Sequence, residues 1–140
     1  MKKISIIILI LTMLLVSIAA HAVTDQPFGF SLSCTSGSSS ARSNSEKKSA
    51  NPSPNRAGVK ITNRNFYGTE RMDFVVVTTD GVKATVGTTK YGNTITIGTS
   101  FSLNYLTNYG AVGNYNELKA IIYPTVPASN PLKASGTWTP

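Results

Sequence analysis

The sequence predicts an all-β protein: an antiparallel β-sandwich of about seven short strands behind an N-terminal signal peptide, with a small closed β-barrel as the alternative. Three observations carry this expectation. Apolar and polar residues alternate with period two along most of the chain. Gly, Asn, Asp and Pro punctuate these runs at short intervals. Beyond residue 22 no segment has a helical period.

The opening residues are read first, because they define what remains. Met1-Lys2-Lys3 is a short positive region, and a nearly unbroken apolar run from Ile4 to Ile18 follows it. Ala20-His21-Ala22 then places small residues at the −3 and −1 positions of a cut before Val23. This order of charge, apolar run and small residues is that of a cleavable secretory signal. The run falls short of the roughly 20 residues that cross a bilayer, so no transmembrane segment is expected after cleavage. Residues 1–22 are thus expected to direct export, and 23–140 to form a single β domain. Removing 22 of 140 residues leaves 118, enough for one core.

The strands are read in order. Phe28, Phe30, Leu32 and Cys34 share one face of a first strand. Thr35–Arg56 holds eight serines, two prolines and no large apolar residue. Such a composition cannot bury enough surface to offset ordering, so a disordered, Ser-rich basic loop is expected at about 35–56. Val59 and Ile61 alternate with Lys60 and Thr62. Met72–Thr79 is a β-branched run apolar enough for a central strand. Asp80-Gly81, followed by Val82, Ala84 and Val86 in alternation, predicts a hairpin with a type I′ turn. Thr94–Ile97 and Phe101–Tyr105 continue the pattern, with Gly98 as a bend. Leu118–Tyr123 is a further strand, and Asn116-Glu117 before it permits a single helical turn. Leu132, Ala134, Gly136 and Trp138 alternate with polar residues in the last strand.

Composition bounds the chemistry. Without Lys2 and Lys3 the exported chain keeps 11 Lys+Arg against 6 Asp+Glu, a net charge of +5. That suits an anionic partner, and it equally serves solubility. The only histidine, His21, leaves with the signal, which removes Ser-His-Asp and Cys-His catalysis and the common zinc sites. Cys34 is the only cysteine, so no disulfide closes within the chain. Its place on the apolar face predicts a buried, inert thiol. Glu70 and Asp73 would face opposite ways on a strand and do not read as a carboxylate pair. Calcium-loop spacing, a phosphate-cradling glycine loop and a nucleophile elbow are all missing, so neither a cofactor nor an enzyme is expected.

Two stretches are candidates for binding. Tyr105, Tyr109 and Tyr115 lie in YLTNYGAVGNY, where Tyr, Asn and Gly combine rigid contact area with adaptable hydrogen bonding. The plainer reading is a long connection whose tyrosines rest on the core edge. Arg42, Lys47, Lys48 and Arg56 give the Ser-rich loop its positive charge, either as a solvated surface or as an electrostatic tether. Basic residues do not interleave with the tyrosines, so nucleic acid is not an expected partner. Phe66-Tyr67 and Trp138 are read as core or core rim.

These parts together resemble an uncharacterised family of small secreted proteins from Gram-positive bacteria. The likeness rests on Asp25-Gln26-Pro27-Phe28-Gly29-Phe30, on the Ser/Arg/Lys/Asn-rich segment leading into Gly58-Val59-Lys60-Ile61-Thr62, and on Ala134-Ser135-Gly136-Thr137-Trp138-Thr139-Pro140. Ala57 and Gly58 stand where that family carries an aromatic residue. The resemblance implies export and a β-rich fold; it implies no activity and no site residues. A looser likeness, to bacteriocins of the lactococcin 972 type, rests on size, export and the Gly-x-Trp element. The expected function is that of a secreted, non-enzymatic protein binding at the cell envelope or outside the cell. Its partner would be an anionic envelope polymer or another extracellular protein. A bacteriocin-like toxin or a self-assembling matrix protein are the alternatives.

Overall fold

A computed structural model describes residues 25–48, 55–67, 69–92, 96–123 and 130–140. The expected signal peptide, residues 94 and 95 of the Thr94–Ile97 run and part of the Ser-rich segment lie outside them. The described residues form nine strands and no helix: β1 (Gln26–Leu32), β2 (Ser39–Arg42), β3 (Glu46–Lys47), β4 (Arg56–Arg64), β5 (Arg71–Thr78), β6 (Thr89–Gly92), β7 (Ser100–Asn104), β8 (Tyr115–Ile122) and β9 (Leu132–Thr139).

All pairings are antiparallel and fall into two sheets. One has the order β1-β9-β4-β7. The other has the order β2-β8-β5-β6, with β3 also on β8. The two sheets share no strand, and the isolated bridges Val77–Lys83 and Thr85–Tyr105 link them at one edge without closing a barrel, so the fold is a β-sandwich and the barrel alternative is set aside. The inward residues are those the alternation selects: Phe28, Phe30 and Leu32 in β1, Val59 and Ile61 in β4, Leu118, Ala120 and Ile122 in β8. Phe74 of β5 is the hub. Its ring lies 5.9–6.2 Å from those of Phe28, Phe30, Tyr91 and Phe101, which come from β1, β6 and β7. Edge and tilted arrangements at such distances add to the area buried. Cys34 is buried beside this core, as expected, and its Sγ donates to the Ser36 carbonyl at 3.2 Å. Trp138 is fully buried; of Phe66-Tyr67, Phe66 is in the core and Tyr67 is 69% exposed.

Several elements differ from expectation. The Ser-rich segment contains β2 and β3, which are ordered by main-chain pairing to the edge of β8. Small serines cost little at such an edge, because main-chain hydrogen bonds do the ordering. Asn116-Glu117 belongs to β8, which begins at Tyr115. The hairpin after β5 forms, but with a three-residue loop. Thr78 accepts from the Gly81 N–H at 2.9 Å and donates its own N–H to Val82 at 2.8 Å. Only Gly81 has a positive φ (89°), the pattern of a turn closed by a left-handed glycine rather than of a type I′ pair.

Candidate functional site

The two candidate stretches meet at one end of the sandwich. The Lys48 N–H donates to the Asn114 carbonyl at 2.6 Å, and the Gly113 N–H donates to the Lys48 carbonyl at 2.8 Å. The connection from Tyr105 to Tyr115 is therefore fastened to the end of β3. Turns within it are closed by Tyr109 N–H to Leu106 and Asn114 N–H to Ala111. The Asn114 amide also donates to the carbonyls of Asn108 and Tyr109 at 3.3 and 3.4 Å. Asn108 takes a φ of 80°, a left-handed conformation that asparagine tolerates better than most residues. The loop is long but firmly tied.

The three tyrosines separate. Tyr105 is buried and part of the core, so the reading of it as a contact residue is corrected. Its parity continues that of Leu103, which explains the burial. Its hydroxyl has no hydrogen-bond partner among the described residues, and burial pushes its ionisation above the usual tyrosine range. Tyr109 is half-buried and packs against the core. Tyr115 is 56% exposed at the start of β8. Leu106 and Val112, not singled out from the sequence, are exposed on the same loop. Their signal was legible: apolar residues inside a turn-rich stretch have no strand partner to cover them.

The four basic residues also separate. Lys48 is buried, so its role in an exposed electrostatic loop is corrected. Its Nζ donates to the Pro140 main-chain oxygen at 2.8 Å and lies 5.5 Å above the Tyr105 ring. Burial lowers its pKa from 10.5 to about 8, because the charged form loses solvation. Arg42 is exposed and pairs with Glu117 at 3.2 Å. Lys47 is exposed and pairs across the strands with Tyr115. Arg56 starts β4, in the other sheet. Only Lys47 and Lys48 adjoin the tyrosine loop.

A depression of about 330 Å³ lies on the four-stranded sheet, lined by Ser31, Asn63, Arg64, Asn65, Lys133 and Ser135 among others. Its polar groups serve the fold: Arg64 donates to the Gly92 carbonyl, and Asn65 bonds Pro131 and Lys133. No cluster of metal-ligating side chains occurs among the described residues. No helix among them is long and apolar enough to cross a membrane. No family model, curated protein or solved structure matches the chain.

Sequence reasoning missed Asn116. It shares parity with Leu118, Ala120 and Ile122 on the inward face of β8, and it is fully buried. Starting the strand at Leu118 concealed that parity.

Proposed function

We propose that the chain is an exported, non-enzymatic binding protein acting at the cell envelope or outside the cell, and that the Leu106–Tyr115 loop is its recognition surface. The observation that supports this is a contrast between anchoring and exposure. The loop is tied to β3 and to itself by main-chain and Asn114 hydrogen bonds, yet it presents Leu106, Val112 and Tyr115 at 38%, 61% and 56% exposure. Apolar and aromatic groups held rigidly in water bind with little loss of conformational freedom. Exposed Lys47 beside Tyr115 favours an anionic envelope polymer or an acidic extracellular protein as partner.

The test is a pull-down of the protein against whole cells, wall polymer and anionic vesicles at low and high salt. The double substitution Val112→Ser/Tyr115→Ala is expected to weaken binding about tenfold or more at both salt concentrations. Lys47→Ala is expected to matter at low salt only, since salt screens an exposed charge. Full binding by the double variant sinks the reading.

A further inference from the structure

Asn116 holds an amide whose Nδ2 and Oδ1 are both buried without a hydrogen-bond partner among the described residues. Buried amides ordinarily pair both atoms, so an orphaned one calls for an explanation. The strand register supplies a neighbour. Glu46 lies directly opposite Asn116, and Lys47 lies opposite Tyr115. The Lys48-to-Asn114 hydrogen bond carries the pairing one step further. Side chains alternate along a strand, so Glu46 and Lys48 share the inward face with Asn116, while Lys47 and Tyr115 point to solvent. Lys48 and Asn116 are thus diagonal neighbours, with β-carbons about 7 Å apart. A lysine side chain spans that gap.

We propose that Lys48 and Asn116 join in an intramolecular isopeptide bond. The Nζ lone pair attacks Asn116 Cγ, the Cγ–Nδ2 bond breaks, and Nδ2 leaves as ammonia. One proton passes from Nζ to the departing nitrogen. The product is a secondary amide between the two side chains, and no oxidant or co-reactant is consumed. Glu46, across from Asn116, is the group placed to carry that proton. The reaction needs an uncharged amine, and the loss of solvation on burial favours that form of Lys48. Burial also excludes the water that would otherwise hydrolyse an activated amide. The link has a structural use. It would pin β3, a strand of only two residues, to β8 in a chain whose single cysteine closes no disulfide.

Intact mass spectrometry of the purified full chain tests this directly. The folded protein is expected to be lighter than its sequence mass by one ammonia. Digestion should release a branched peptide joining the Lys48 and Asn116 segments, which distinguishes the bond from a linear succinimide. Lys48→Arg and Asn116→Ala should each restore the full mass. Glu46→Gln should slow the loss of ammonia while leaving the circular dichroism spectrum unchanged. The wild-type reading needs no variant to fold. Full mass in a folded wild-type protein after prolonged incubation at mildly alkaline pH overturns the proposal, as does loss of ammonia without the branched peptide.

Discussion

At the residue scale the most informative group is Lys48. Its folded pKa of about 8 lies below the ordinary 10.5, so between those values the unfolded chain holds a proton that the fold does not. Stability contributed by this group therefore rises with pH across that window. Tyr105 acts in the opposite sense. Its raised pKa means that the unfolded chain loses its phenolic proton first, so stability falls once pH exceeds the ordinary tyrosine value. The useful range is thus about pH 7.5 to 9.5. In Asn116→Ala, where the Lys48 amine stays unacylated, the Tm is expected to climb through that range. In Asn116→Ala/Lys48→Met the climb should vanish; a thermal melt series at fixed ionic strength checks both. The burial of Lys48 was not legible in the sequence. A lysine beside a lysine in a serine-rich run reads as surface, and only the packing of Tyr105 and the Pro140 oxygen around it shows otherwise.

At the element scale the close approach of β9 to β4 is decisive. The register of this pair shifts between Ile61 and Asn63. A Cβ on Gly136 would fall on the Lys60 main-chain oxygen, which no side-chain rotation relieves. Gly136→Ala is expected to cost at least about 3 kcal/mol in urea unfolding, since backbone must move. Gly29→Ala in β1 meets nothing nearby and should change stability by less than about 1 kcal/mol. Strands with strong alternation, such as β1, β8 and β9, were legible because their inward faces are written in apolar residues. β2 and β3 were not. Their order comes from hydrogen bonds to the edge of β8, and serine carries no trace of that in its side chain.

At the scale of the whole molecule, β1 pairs with β9 along its full length, and β9 lies between β1 and β4. The four-stranded sheet therefore cannot be assembled until the last strand is present. Deleting Leu132–Pro140 should abolish cooperative folding, seen as loss of amide dispersion in NMR spectra, whereas shortening the chain before Asp25 should not. A similar argument applies to the core. Phe74 touches aromatics from both sheets, Phe28 and Phe101 on one and Tyr91 on the other, and Phe74→Ala is expected to cost about 3–5 kcal/mol. Where its loss leaves the fold intact in chemical denaturation, the two layers must be held by other contacts.

The sequence by itself determined that this chain is β, where most strands run, and which of their faces turn inward. It did so because strand alternation and turn chemistry are local properties, readable within a few residues. Tertiary structure alone decided that β2 and β3 exist, that Tyr105 is core while Tyr115 is surface, and that the pairing of β3 with β8 sets Lys48 diagonally across from Asn116. The strands and the Lys48 placement depend on which distant segment supplies the pairing edge, and the tyrosines on how far the parity of β7 and β8 runs into the loop, and composition records neither.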